Sequence, residues 1–261
     1  MNNVENKTAI VTGAGSGIGY NITEELLRKG AKTVAILDLP VARSYDATKA
    51  LQEKFGKDRV IFSPIDITNL EVYSETFKQV VKALNGLDIL VNNAGICNDR
   101  CVEKTFAINV VALIRGSLLG LDYMGKHKGG KGGTIVNISS MSGLAPFAVC
   151  SIYSSSKYAV VGLGANLEKF YGKTGVRILT MCPSFVATPL MNTSEETFLD
   201  VVDKDTFKLY DDTTDLTNPQ SVERVGQCIV MAIQKGKNGS VWLIERNELL
   251  PIKLQPYTVT A

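Results

Sequence analysis

Tyr153 and Lys157 stand four residues apart in YSSSK, and Ser140 lies upstream at the end of the apolar run TIVNIS. On a helix, positions four apart share one face, so this spacing puts an ammonium near a phenol or near whatever the phenol serves. The chemistry it suits is proton transfer. A free tyrosine titrates near 10, so a phenol acting as a base near neutral pH needs its phenolate stabilised by roughly three pKa units, about 4 kcal/mol. A lysine cation has the right sign of charge, and a serine hydroxyl at the mouth of a buried strand can face the phenol. Taken alone, Y-x-x-x-K is usually an exposed helix pair. The rest of the chain gives the trio its chemical meaning.

Strand and helix patterns alternate along the chain. KTAIVT, from Lys7 to Thr12, reads as a short buried strand, followed by Gly13, Gly15, Gly17 and Gly19 and then the helical run YNITEELLRKG, closed by Gly30. Glycines there permit positive φ and let the backbone approach a pyrophosphate, which helix first-turn N–H groups and the helix dipole hold. The next apolar run, KTVAILD, ends at Asp38, about 20 residues beyond the turn, where an acid binds the ribose hydroxyls of adenosine. Its carboxylate repels a 2′-phosphate, and Leu39 and Pro40 bring no cation, so NAD is expected over NADP; Arg43 keeps the alternative open.

RSYDATKALQEKFG and NLEVYSETFKQVVKALNG read as helices flanking a third strand, RVIFSPID. LDILVNNAG is a fourth strand closing on Asn92, Asn93, Ala94 and Gly95. A helix over Thr105–Met124 carries Asn109 among apolar neighbours, where an amide requires partners. TIVNISS is the fifth strand, SIYSSSKYAVVGLGANLEKFYG the helix with the tyrosine, VRILTMCP the sixth strand, QSVERVGQCIVMAIQKG the last helix and SVWLIE the last strand. The sum is an α/β fold, a doubly wound parallel sheet (Rossmann-like) of about seven strands in a single domain, 1–261, with helices on both faces. Gly13–Gly19, Asp38, Asn92–Gly95, Ser140 and Pro183 all fall at the carboxyl edge of the strands, where such sheets bind ligands.

Two segments leave this rhythm. Pro189 to Asp215 holds eight acids and two lysines and reads as a partly helical substrate lid at about 189–217. The tail, at about 246–261, contains Leu249, Leu250, Pro251, Ile252 and Leu254 and is too apolar to stay free, so it is expected to pack on the domain or on a partner subunit.

Composition narrows the class. At 261 residues, 45% hydrophobic and 21% charged, the chain suits a globular domain and excludes long disorder or a fibrous repeat. A net charge of +2 and one basic cluster, KHKGGK at Lys126–Lys131, without interleaved aromatics, argue against nucleic-acid binding. The first residues, MNNVENKTAIVTG, lack a basic region leading into a long apolar one, and no later run approaches about 20 apolar residues, so a cytoplasmic protein without a membrane span is expected. Five scattered cysteines, Cys97, Cys101, Cys150, Cys182 and Cys228, read as free thiols. His127 is the sole histidine and no second pair follows Cys97 and Cys101, so no metal site is expected.

With T-G-A-G-S-G-I-G at Thr12–Gly19, N-N-A-G at Asn92–Gly95, Ser140, and Y-S-S-S-K at Tyr153–Lys157, the sequence resembles the short-chain dehydrogenase/reductase family over nearly its whole length. Within that family, Gly120–Lys157 looks like NAD-dependent 15-hydroxyprostaglandin dehydrogenases and the insect alcohol dehydrogenases. The resemblance implies Tyr153 as catalytic acid/base, Lys157 as the group that lowers its pKa and holds the nicotinamide ribose, Ser140 as the group orienting the substrate oxygen, and Asn109 as the anchor of a water relay to Lys157. It implies coenzyme contacts from Gly13, Gly15, Ser16, Gly17, Ile18 and Gly19, from Asp38, from Asp66 at the adenine with Ile67 beside it, and from Asn93, Ala94 and Gly95. Tyr153, Lys157, Pro183, Val186 and Thr188 complete that set. The family motif P-G-x-x-x-T stands here as Pro183-Ser184-Phe185-Val186-Ala187-Thr188; if the second position needs positive φ, serine costs of order 1 kcal/mol or shifts the loop. The implied reaction moves a hydride between NAD and a hydrophobic secondary or primary alcohol, or the matching carbonyl. Phe147, Phe185, Leu190 and Met191 are expected to line the pocket, and a homodimer or homotetramer is implied. The alternatives are an NADP-dependent carbonyl reductase and a catalytically weak NAD-binding protein of the same fold.

Overall fold

Short apolar runs form strands β1 (Thr8–Thr12), β2 (Thr33–Asp38), β3 (Val60–Pro64), β4 (Ile89–Asn92), β5 (Gly133–Ile138), β6 (Val176–Pro183), β7 (Val241–Glu245) and β8 (Glu248–Ile252). In the computed structural model, which describes residues 3–191, 195–208 and 219–255, they join in one sheet of order β3-β2-β1-β4-β5-β6-β7-β8. Neighbours are parallel from β3 to β7, and only β8 runs antiparallel. Every residue of β1 and β6 is buried, as strands covered by helices on both faces must be. The chain winds outward from β1 to β3 and then returns to place β4 on the other side of β1. That reversal opens a crevice at the strands' carboxyl ends.

The sheet holds the expected seven parallel strands and adds an eighth. Arg246 and Asn247 both take positive φ, 49° and 63°, the backbone that a two-residue hairpin turn requires. The tail therefore folds back along β7, with Glu245 opposite Glu248 and Val241 opposite Ile252. Residues 256–261 of the expected tail lie outside the described residues, as do 192–194 and 209–218 of the expected lid; Pro189–Met191 and Glu195–Thr197 are single 3-10 turns and Lys204–Lys208 a short helix.

The helices are α1 (Gly17–Arg28), α2 (Ala42–Phe55), α3 (Leu70–Leu84), α4 (Val102–Phe106), α5 (Leu113–Met124), α6 (Ser151–Leu167), α7 (Tyr171–Thr174), α8 (Lys204–Lys208) and α9 (Val222–Lys235). On one face of the sheet, Ile22, Leu26 and Leu27 of α1 and Val225, Ile229, Ala232 and Ile233 of α9 bury with β1 and β6. On the other, Tyr73, Phe77 and Val81 of α3 meet Leu121 and Met124 of α5. Both sets follow the i, i+3, i+4 spacing of an apolar stripe. Asn69 caps α3 through the Val72 N–H at 3.2 Å, and Ser221 caps α9 through the Arg224 N–H at 3.3 Å.

α4 and α5 form one continuous helix through wider π turns at Ala107–Ala112. This 23-residue run, Val102–Met124, has a window of mean hydropathy 1.4 and is long and apolar enough to cross a membrane by length and composition alone, contrary to the expectation that no run approaches that length. Here Ala112, Leu113, Gly116, Ser117, Gly120, Leu121 and Met124 are buried against the rest of the domain.

α1 and α9 touch at Gly226, where a Cβ would lie 2.8–2.9 Å from backbone and Cβ atoms of Asn21. Alanine favours a helix over glycine by about 1 kcal/mol, but backbone overlap of this kind costs about 1–3 kcal/mol. Gly226→Ala is therefore expected to lower the thermal midpoint, by up to about 2 kcal/mol of net stability, in a melt monitored by circular dichroism.

Candidate active site

The carboxyl end of β1 opens into the glycine turn. Gly13 and Gly17 have φ of 66° and 56°, a region costly for a residue with a Cβ, and a Cβ on Gly19 would strike the Gly13 carbonyl. Ser16 is the N-cap of α1, its side chain makes no capping bond, and the first turn holds no acid. The helix thus offers its first N–H groups and positive end to an anion. Ile18 turns inward against the core below, leaving its backbone to the turn. Asp38 reaches this turn: Oδ2 accepts from the Gly15 N–H at 2.6 Å and Oδ1 from the Leu39 N–H at 2.7 Å. Arg43, in the first turn of α2, is exposed.

The end of β4 is bolted to the same turn. The Asn93 side chain donates to the Thr12 and Gly13 carbonyls, both at 3.0 Å, and the Thr12 hydroxyl accepts from the N–H groups of Asn93 and Ala94. Beyond β3, exposed Asp66 accepts from the N–H and hydroxyl of Thr68, with Ile67 half-buried beside it. Past Pro183, Val186 bridges to Gln220, and the Thr188 methyl lies 3.3 Å from where a Cβ on Gly17 would be. Ser184 is not among the residues of positive φ, so the strain that serine would bring there does not arise; its N–H donates to the Ile244 carbonyl at 2.8 Å. An uncapped helix start, a turn crowded against added side chains, and a carboxylate at the ribose distance together fit a dinucleotide.

Tyr153, Lys157 and Ser140 stand beside it. Tyr153 and Lys157 lie on α6 and are 8% and 3% exposed. Ser140, just past β5, lies near enough to the Tyr153 phenol to oppose its upward shift, and accepts from the N–H and hydroxyl of Ser142 at 3.3 and 3.0 Å. Lys157 Nζ donates to the Ile138 carbonyl at 3.1 Å and lies 5.4 Å from the centre of the Tyr153 ring. Gly95 approaches the same point: a Cβ there would sit 3.2 Å from Asn109 Oδ1 and 3.5 Å from Lys157 Nζ. Asn109 is fully buried. Its Oδ1 accepts from the Ile96 N–H at 2.9 Å, and its Nδ2 donates to the Ile96 carbonyl at 2.9 Å and to Ser156 Oγ at 3.0 Å. It is a strut between the turn after β4 and α6. Both amide donors are committed, so a water relay to Lys157 does not run through them.

Burial dominates the electrostatics. It pushes the Tyr153 phenol well above its ordinary 10, with the Cys97 and Cys150 thiols adding to the rise and Ser140 opposing it. In the coenzyme-free protein, desolvation sets the direction of the shift. Burial also pulls Lys157 down to about 8. Phe147 and Phe185 meet edge-on at 5.7 Å between ring centres and Leu190 is half-buried, while the side chain of Met191 is outside the described residues.

Three nearby residues had no local signal in the sequence. The Cys97 and Cys150 thiols interact, which lowers Cys97 and raises Cys150. Asp99, 1% exposed, accepts from the N–H groups of Ile152 and Tyr153 across more than 50 positions of chain. A carboxylate preceding an arginine in a loop gave no hint of that reach.

The comparisons agree with this geometry. The short chain dehydrogenase family profile matches residues 7–198. The 15-hydroxyprostaglandin dehydrogenase [NAD(+)] of Rattus norvegicus is 43% identical over 199 residues, 74% of this chain and 73% of that one. Alcohol dehydrogenase 1 of Ceratitis capitata is 33% identical over 255 residues, 96% of each chain. A crystal structure of a short chain dehydrogenase from Burkholderia cenocepacia in complex with NADP, 25% identical, superposes with a TM-score of 0.77 over 94% of this chain and 98% of that one. The chain belongs to the short-chain dehydrogenase/reductase family. It is an oxidoreductase that acts on alcohols or carbonyls with a nicotinamide coenzyme.

Lys157 yields a prediction in which stability and activity part. Its pKa falls from 10.5 to about 8 on folding, so between those values the unfolded chain holds a proton that the folded chain has lost. Stability therefore rises with pH through that window, and the penalty is present in full below about 8. Lys157→Met is expected to stabilise the coenzyme-free protein by about 1–2 kcal/mol at pH 7, after the lost bond to Ile138 is allowed for. In urea melts at several pH values the gain should fade toward pH 10.5.

Proposed function

We propose that the protein is an NAD-dependent alcohol dehydrogenase that interconverts a hydrophobic secondary alcohol and its ketone, with Tyr153 as the acid/base. The observation that carries this reading is the contact of a buried phenol with Ser140, an ammonium 5.4 Å from the phenol ring, and the coenzyme turn directly beside them. When bound, a nicotinamide coenzyme supplies the hydride acceptor and a positive ring. Ser140 holds the substrate oxygen, Tyr153 Oη takes the hydroxyl proton as the carbinol hydrogen departs, and the same proton returns in the reductive direction. The Lys157 charge favours the phenolate, and burial works against it. A bound coenzyme's positive ring would add to the lysine's charge, which ties proton abstraction to coenzyme occupancy.

NAD is favoured over NADP because the Asp38 carboxylate is fixed on the Gly15 N–H, where it repels a 2′-phosphate. The names of the 15-hydroxyprostaglandin dehydrogenase relatives point the same way. Exposed Arg43 and the NADP held by the Burkholderia structure favour the second reading, an NADP-dependent carbonyl reductase. The Phe147–Phe185 pair supports an apolar substrate, and the connection after β6 is read as its lid. Exposed Val111 and Leu118 on the Val102–Met124 helix and Tyr158 on α6 support self-association into a dimer or tetramer.

The test is a panel of secondary and primary alcohols with NAD, followed by NADH absorbance. Wild type is expected to turn over medium-chain secondary alcohols, Tyr153→Phe to lose turnover by at least about 10³-fold while still binding NAD, and Asp38→Ser to shift the NADP-to-NAD preference by about tenfold or more. NAD binding without turnover anywhere on the panel would leave a binding protein, and a wild type that prefers NADP would overturn the reading of Asp38.

A further inference from the structure

α6 does not cap itself. Its N-cap residue, Cys150, makes no side-chain capping bond, and the first-turn N–H groups of Ile152 and Tyr153 donate instead to Asp99 Oδ2 and Oδ1, each at 2.9 Å. A carboxylate receiving two N–H groups at the positive end of a helix forms charge-assisted bonds and complements the helix dipole. One of those N–H groups belongs to the reacting tyrosine. The loop that carries Asp99 is itself braced: Asn98 Oδ1 accepts from the N–H groups of Arg100 and Cys101, and its carbonyl accepts from the Thr105 hydroxyl at 2.7 Å.

The same loop grips the connection after β6. The Asp99 N–H donates to the Thr197 carbonyl at 2.8 Å, Arg100 Nε donates to the Phe198 carbonyl at 2.7 Å, and the Arg100 guanidinium pairs with Asp200. That ion pair is exposed and weak by itself. Together with those two bonds to backbone carbonyls it fixes residues 197–200 to Asp99, which caps the helix of Tyr153, and to Arg100 beside it.

We propose that Asp99 is a positioning residue for Tyr153, and that Arg100 couples the docking of the 197–200 segment to that position, so that substrate engagement and phenol alignment are linked. This rests on the reading of Tyr153 as the acid/base. Asp99 touches neither the phenol oxygen nor the coenzyme turn. It acts through the backbone of α6, and a phenol displaced by about 1 Å can lose about 10²-fold in rate.

The experiment compares Asp99→Ala, Asp99→Asn, Arg100→Ala and Tyr153→Phe as full-length proteins, well below their melting points, per mole of bound NAD. The substrate is 2-octanol, or the panel alcohol that wild type turns over fastest. Asp99→Ala is expected to lose about 10- to 100-fold in kcat with NAD affinity unchanged, and Asp99→Asn, which keeps one acceptor oxygen, to fall between it and wild type. Arg100→Ala is expected to raise KM for the alcohol by about 3- to 10-fold with a smaller change in kcat. A purely structural Asp99 would lower the melting point and leave kcat per folded site untouched, which would overturn the inference; if Asp99→Ala does not fold, Asp99→Asn decides it alone. An unchanged KM in Arg100→Ala would overturn the coupling. Turnover retained in Tyr153→Phe would instead remove the underlying mechanism, so the two failures are distinguishable.

Discussion

An ammonium sits 3% exposed at the carboxyl edge of the sheet with a backbone carbonyl as its hydrogen-bond partner. Burying a charge without a counter-ion costs several kcal/mol, and the downward shift of Lys157 to about 8 is that cost expressed in protons. Much of the surrounding structure serves to hold the charge there. β5 ends so that the Ile138 carbonyl faces it, Gly95 leaves room for it, and the Asn109–Ser156 bond ties its helix to the turn after β4. The π turns at Ala107–Ala112 lie where Asn109 must reach both partners, consistent with the frequent placement of such turns at functional sites.

The same burial keeps Tyr153 neutral. A phenol raised by desolvation is a poor base, and Ser140 does not reverse this in the coenzyme-free protein. In the proposed mechanism base strength is withheld until a further positive charge arrives with the coenzyme, which the glycine turn with Asp38 at its rim would hold. On that reading, coenzyme binding and proton abstraction are coupled through electrostatics rather than through a moving part.

What the sequence revealed and what it hid divide along a physical line. The Tyr153–Lys157 spacing, the glycine turn and the apolar strand runs are local signals, set by helical and strand periodicity, and the fold places all of them at one edge. Asp38 was legible because its distance from the turn is fixed by one strand-turn-helix-strand unit. Asp99 was not, because its partners lie more than 50 positions away and a remote cap leaves no mark beside the helix it serves. β8 was hidden because Arg246-Asn247 lacks the glycine that usually marks a hairpin turn. The worry over Ser184 came from a motif and disappeared once its φ was known to be ordinary. The direction of the Tyr153 shift was a contest between burial and charge, and a sequence states the charges without stating the burial.

The most direct measurement of this account is a tyrosinate absorbance titration of wild type minus Tyr153→Phe, with and without saturating NAD. The account predicts a phenol that titrates above its ordinary 10 in the free protein and falls below that value with NAD bound, toward the range where a general base works. A Tyr153 that titrates at or below 10 without coenzyme, or one that NAD leaves unmoved, would contradict it.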